Sequence, residues 1–561
     1  MKPVYLRLIR VTVGVFLIAC MMLPLLSRAA EPANYSELAK LFTEWRAFAR
    51  PAMKNGIQDY SPAAMQAKAA ELPKWRKHLE AIDTQGWPIQ QLNDRKLVLA
   101  EMQGLDFDLR VLRPWARDPA FYVRIWGSRT DVPLREGPIA DDEIALYSYK
   151  WPLSAADQQE LTAKISTVPA LLAEARENLK DANARDLWVY GEQELRDQSE
   201  TLTSLEAGTL TARTLELVQH PNLSSASPEL RIAVANARKA TGDFVAWLEK
   251  LAPTRTGPSG VGKENYTWYE QNVHLIPYTW EQQVTLLQRE LERAQASLLL
   301  EQHNNRNLPP LQPAANAAAF DAMTQARLDK FIDFLVKQEI IPGKPYLKPA
   351  LEPLRDEFVP EDKRIFFTRI THREPMVLFC HDYHWIDLAR MKDEPNPSPI
   401  RRVAQLSNIW DTRAEGFATA FEEIAMHAGL YNDNPRAKEL VWMMLANRAA
   451  RGLASLYVQA NEWNLEQAGK FHSQWTPGGF SKLDHLTAFE QLLYLRQPGY
   501  GSSYVTGKLL FDRLMTEYAH ENQLASQPFV LRDFLDRFNN DGMIPIPLME
   551  TEMIPERARE P

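Results

Sequence analysis

The chain has 561 residues, 45% apolar and 24% charged, with 15 tryptophans. That is the composition of an ordinary globular protein with ample material for a large core, and it excludes a disordered chain. A net charge of −8 without a basic stripe or interleaved aromatics excludes a nucleic-acid binder.

The first segment reads as an export signal. Lys2, Arg7 and Arg10 precede an apolar run from Val11 to Leu26, and Ser27-Arg28-Ala29-Ala30 follows. Small residues at Ser27 and Ala29 suit cleavage after Ala29, which makes 1–29 a signal peptide. Leu17-Ile18-Ala19-Cys20 also matches a bacterial lipobox, with Cys20 as the lipid-bearing residue. An apolar run directly after that cysteine is awkward for a lipoprotein, so soluble export is favoured. A spanning anchor is disfavoured because the run falls short of about 20 residues. The mature chain then keeps Cys380 alone and has no internal disulfide framework.

The rest reads mainly as helices. Leu161, Ile165, Val168, Leu171, Leu172 and Leu179 recur at helical spacing and predict one amphipathic helix over Glu160 to Lys180. A similar pattern predicts a helix from Leu230 to Leu251. The Pro- and Gly-rich stretch Ala252 to Asn265 is the clearest punctuation, and it divides an N-terminal part, 30–255, from a C-terminal part, 256–561. Within it, Gly257-Pro-Ser-Gly-Val-Gly262-Lys263 imitates a phosphate loop, but Glu264 stands where a magnesium-binding hydroxyl belongs, so it reads as an ordinary loop. The next helix begins near Thr279, and Asn304 to Ala314 is irregular. Arg364 to Arg369 alternates weakly and is a β candidate. A loop from Met391 to Pro399 separates two chemically promising segments.

The first of these is His381-Asp382-Tyr383-His384; the second opens with Glu415-Gly416-Phe417-Ala418. A water-activating zinc needs about three protein ligands, an open position and a nearby carboxylate base. Two histidines and a distant glutamate supply such ligands, and Asp382 stands where the base usually stands. One continuous helix over 381–391 would put His381, His384, Trp385 and Leu388 on one face, with Asp387 about 240° round from His381. A second helix, Gly416 to His427 with Gly429 as its cap, would carry an apolar stripe of Phe417, Phe421 and Ile424. Glu415 and Glu422 would lie on another face with Ala418 and Ala425, small enough for a close helix crossing. Each residue taken singly also fits a structural role, since core histidines and helix-start glutamates are common.

Several segments resemble a bacterial family known as "domain of unknown function 885". Val168-Pro169 through Leu179 is similar to its "IPxLLxxARxNL", and Gly262 through Tyr266 to "lGxexY". Glu415 through Glu422 resembles "EGWALYxE", with Asn434-Pro435-Arg436 following. Arg448 through Ala468 resembles "RAxRLVVDTGLHxxGWxxEQA", Pro498-Gly499 through Gly507 resembles "PGQAxSYxxG", and Phe538 to Leu548 resembles the closing "GxxPL". The likeness spans nearly the whole mature chain and is strongest after Glu415. It implies a large, mainly α, gluzincin-like zinc-peptidase fold with a central groove and at most a small β-sheet near the site.

The departures fall where the chemistry would be. The family's "HExxPGHH" reads here as His381-Asp382-Tyr383-His384-Trp385-Ile386-Asp387-Leu388. Ser455 and Gln459 replace the Asp and His of "DTGLH", and Tyr500 replaces the Gln of "PGQA". Losing the Pro-Gly break leaves its later histidine without a route to the metal, while His384 stands one turn from His381. The resemblance therefore implies zinc on His381, His384 and Glu415, with Asp382 as base, Tyr504 as oxyanion donor and Glu422 orienting a ligand. The expected protein is an exported, periplasmic or envelope hydrolase acting on peptides. Its rival is a pseudoenzyme that binds peptides or a protein partner without cutting. Any membrane contact would run through an N-terminal lipid or an uncleaved signal, and the oligomeric state is open.

Overall fold

The computed structural model describes residues 33–554, apart from 141–142 and 356. The expected signal peptide and Cys20 lie outside the described residues. Among the described residues helices predominate, and the strands are three two-residue pairs: Met53–Lys54 with Ile57–Gln58, Ile125–Trp126 with Ile144–Ala145, and Ala212–Arg213 with Val218–Gln219. The fold is mainly α. Among the described residues, no helix is long and apolar enough to cross a membrane.

Local chemistry explains where helices start and stop. The single helix predicted over Glu160 to Lys180 is two, Ala155–Ile165 and Val168–Leu179. Pro169 is the cause: it has no N–H for the Ile165 carbonyl, and its ring crowds that carbonyl, so the first helix must end there. Pro228–Leu251 matches its prediction, opened by the Ser227 cap with Pro228 in the first turn. Trp280–Asn304 begins at Thr279, which forms a capping box with Gln282. The β candidate Arg364 to Arg369 is instead helical: Phe366–Thr371 is a short helix that buries Phe366 and Ile370 one turn apart.

The glycine-rich loop is used for packing. Gly262 N–H donates to the Gln459 carbonyl at 2.8 Å and Gly260 N–H to Asn461 Oδ1 at 2.8 Å. These amides are committed to the end of the Ala437–Gln459 helix. Two main hydrophobic clusters result: one draws on residues between 57 and 252, and the larger on residues between 35 and 112 and between 261 and 554.

Ala437–Gln459 runs through the larger cluster with most of its residues buried. Its Asn447 donates to Nε2 of the buried His472 at 2.8 Å. Burial, with the Arg451 guanidinium nearby, pushes that imidazole down to about 3. A histidine in an unfolded chain titrates near about 6.5. The depressed folded value supplies stability that is complete above about pH 6.5 and lost as pH falls toward 3, at roughly 1.4 kcal/mol per pH unit. The stability advantage of wild type over His472→Gln should therefore shrink by on the order of 3 kcal/mol between about pH 7 and pH 4 in urea titrations. A difference independent of pH would contradict this.

Candidate metal site

The stretch after Cys380 is not one continuous helix. Met376–His381 ends, Asp382 turns with ψ 7°, and Tyr383–Asp393 starts anew. The anchor of this turn is Tyr383, whose ring packs at 4.8 Å on Phe417 and 4.7 Å on Phe421 and whose hydroxyl accepts from Asn539 at 3.0 Å. The predicted convergence nevertheless occurs, because the His381 and His384 rings lie 4.9 Å apart. Asp387 points elsewhere, into Arg413 and Arg390.

The helix carrying Glu415 is Asp411–His427, five residues longer at its start than predicted. His274 fixes that start. Its Nδ1 lies 2.9 Å from Glu270 and 3.4 Å from Asp411, and its Nε2 reaches the Ser407 carbonyl at 3.0 Å. One turn on, Glu415 Oε2 sits 3.1 Å from His384 Nε2 and 3.6 Å from His381 Nε2. One donor atom from each of the three residues falls within 4.8 Å of the others. Glu422, two turns further, places Oε1 3.3 Å from His381 Nδ1 and is gripped by Arg448 at 2.9 and 2.7 Å. Tyr504 stacks near His381, 6.1 Å between centroids at 18°, with the Arg451 guanidinium 4.4 Å above its ring. Asp382 is partly exposed at the turn, outside the three-residue cluster.

Some contributors were not legible beforehand. The Tyr500 hydroxyl, which looked like a lost polar function, donates to Glu415 Oε1. Gly499 makes this possible: at φ +93° it turns the chain, and a Cβ there would lie 2.2 Å from Glu270 Oε1. Ser455 and Gln459 instead bond backbone carbonyls, of Gly452 and of Tyr494 and Leu495. Asp131 comes from the distant loop between Trp126 and Ile144; its carboxylate acts on His384 and Glu415. The neighbouring Val132 is fully buried with Trp410, Ala414, Tyr500 and Tyr504. No pattern around Asp131 announces this role.

The charges are arranged for a cation or a proton. Burial disfavours charge on both histidines. His381, also facing Arg448, His384 and Arg451, is held neutral, well below its ordinary value. For His384 the carboxylates of Glu415 and Asp131 outweigh burial and raise it to about 9. Glu415 is correspondingly low, since His384 and Tyr500 overcome its burial. Burial pushes Glu422 up to about 7 despite Arg448. The donor set fits zinc: bonds of about 2.0–2.1 Å at tetrahedral angles require donors about 3.4 Å apart, and two of the three separations are 3.1 and 3.6 Å. His381 also meets a carboxylate on its remaining nitrogen, as ligating histidines do.

Fold and site together define a mainly helical protein with a buried His-His-Glu cluster at the junction of three helices. The chain belongs to the family described as "Bacterial protein of unknown function (DUF885)", whose model matches residues 44–335. That match ends before His381, so the resemblance expected to be strongest after Glu415 is instead matched in the half preceding the cluster. Two solved structures share the fold at 14% identity. One, from Shewanella oneidensis and described as a "putative lipoprotein of unknown function", has a TM-score of 0.62 and covers 93% of this chain and 98% of its own. The other, a "putative lipoprotein" from Colwellia psychrerythraea, has a TM-score of 0.61 and covers 94% of this chain and 100% of its own. No curated protein matches.

Proposed function

We propose that the protein is an exported, zinc-dependent, peptidase-like hydrolase with a divergent ligand set. The observation that carries this reading is the convergence of His381, His384 and Glu415 within 4.8 Å, with Glu422 and Arg448 supporting His381 from behind. Zinc there would polarise a substrate carbonyl and lower the pKa of a bound water. His381 and Glu415 would hold the ion, with His384 completing the set once zinc replaces its proton. Asp382, next to His381 in sequence, would be the base for that water, with a side chain one methylene shorter than the usual glutamate. Tyr504, under the Arg451 guanidinium, would donate a hydrogen bond from its hydroxyl to a developing oxyanion, and Tyr500 keeps Glu415 oriented. The charged and apolar pattern of residues 1–29 supports export, and the two structural neighbours, each described as a "putative lipoprotein", agree with an envelope location.

A specific observation favours the second reading, a pseudoenzyme. His384 and Glu415 already satisfy one another as an ion pair, and Val132 is buried in one hydrophobic cluster with Tyr500 and Tyr504. Mass spectrometry of a peptide library incubated with zinc-loaded protein separates the two. Hydrolysis should appear with zinc and vanish on chelation. Asp382→Asn should retain the metal and lose turnover, and Tyr504→Phe should lose about 10²-fold in kcat. Zinc-loaded protein that cuts nothing would establish the binding-only reading.

A further inference from the structure

A cavity lies against the loop that carries Asp131. It is a half-open cavity of about 870 Å³, and Leu134, Gly137, Pro138 and Ile139 form part of its wall, while Val132 of the same loop is buried in one cluster with Tyr500 and Tyr504. Pro498, two residues before Tyr500, lines it as well. Its volume falls within the range of sites for small organic ligands. Tyr60, Trp115, Phe121 and Tyr269 supply aromatic wall.

The polar groups of the wall are mostly matched. Glu101 receives Arg46, Glu143 receives Arg135, and Arg496 is held by Asp118. Lys68 donates to the Phe48, Ala49 and Arg50 carbonyls. Asp108 differs: it lines the chamber, is partly exposed to it, and its carboxylate has no hydrogen-bond or ionic partner among the described residues. Burial alone accounts for its rise to about 7, with no cation opposing it. It also opens a π-helical turn, Asp108–Leu112, that ends on Arg113 at φ +45°. Such turns and such non-glycine conformations concentrate at functional sites.

We infer that this chamber binds a primary ammonium carried on an apolar or aromatic body, with the ammonium on Asp108 and the body against Trp115, Tyr60 and Phe121. The chemistry is shared by two sources, a peptide N-terminus and a free aromatic amine. The inference does not require zinc at the histidine cluster.

Calorimetric titration of the mature protein, zinc-stripped and zinc-loaded, tests it with four probes: the tripeptide Phe-Ala-Ala, phenethylamine, phenylalaninamide and N-acetyl-phenylalaninamide. The ammonium probes should bind saturably and the acetylated one at least about tenfold more weakly, since a charged hydrogen bond contributes about 1.5–3 kcal/mol. Tighter binding of the tripeptide than of phenethylamine assigns a peptide N-terminus, and equal binding assigns a free amine; either supports the site. Asp108→Asn, checked for an unchanged melting temperature, should weaken the ammonium probes by a similar factor. Equal affinity for free and acetylated probes, which needs no variant, overturns the inference, as does the absence of saturable ammonium binding at millimolar concentration. Binding in zinc-stripped protein keeps this result separate from the fate of the zinc proposal.

Discussion

Asp387→Asn should destabilise the fold by about 3–5 kcal/mol, the range for removing one partner of a buried ion pair. Asp387 is 1% exposed and binds Arg413, itself fully buried, at 3.0 and 3.3 Å, with Arg390 at 3.0 Å on the same carboxylate. Arg413 also donates to Asn539 Oδ1 at 2.8 Å and lies 4.2 Å over Phe538 and 4.9 Å over Phe417. Neutralising the carboxylate leaves two guanidinium groups facing each other where water cannot screen them. The exposed pair Lys239–Asp243 is the control: Asp243→Asn should cost under about 1 kcal/mol. Urea unfolding of both variants checks the contrast, and equal effects would contradict it. The consequence reaches the site, because this network ties the helix of His384 to the first turn of the helix of Glu415.

Gly507→Ala should cost about 3 kcal/mol or more, at the upper end of overpacking effects. A Cβ on Gly507 would lie 2.3 Å from the Thr412 carbonyl oxygen, and one on Gly416 would lie 2.4 Å from Gly507 Cα. Both neighbours are backbone, so relief requires the Asp411–His427 and Tyr500–Leu524 helices to separate. Those helices carry Glu415 on one side and Tyr500 and Tyr504 on the other, so the substitution should loosen the cluster as well as the fold. Gly242 gives the opposite expectation. It sits in the Pro228–Leu251 helix with nothing within 4 Å of an added Cβ, and Gly242→Ala should stabilise by up to about 1 kcal/mol. Thermal melts that fail to separate these two glycines would contradict the packing account.

Much of the helical architecture was legible because its cause is local. Leu230, Val234, Phe244 and Leu248 repeat at helical spacing and are buried on one side of their helix; Thr279 announces its helix start, whereas the Ser227 cap lies just before the start expected at Leu230. Pro169 was equally visible, but the apolar repeat running through it hid the break it imposes. Arg364 to Arg369 misled because a six-residue apolar pattern cannot by itself distinguish a strand from a buried helical turn.

The candidate site divides in the same way. His381, His384 and Glu415 do converge, although the helix expected to align the histidines is broken at Asp382. The turn there depends on Tyr383 finding Phe417 and Phe421, a tertiary contact that local spacing does not encode. Ala418 and Ala425 pointed to a close helix crossing, and both are buried, but it is Gly416 and Gly507 that leave no room for a side chain between the helices. Asp131 acts electrostatically on His384 and Glu415 from about 250 residues upstream in sequence, and only the fold brings its charge near.

Metal content of the purified mature chain tests the central claim most directly. After equilibration with zinc at neutral pH and extensive dialysis, wild type should retain about one zinc per chain, and His381→Ala, His384→Ala and Glu415→Ala should each lose it while remaining folded. Wild-type protein without stoichiometric zinc, or a His384→Ala variant that holds it as tightly as wild type, would contradict the account.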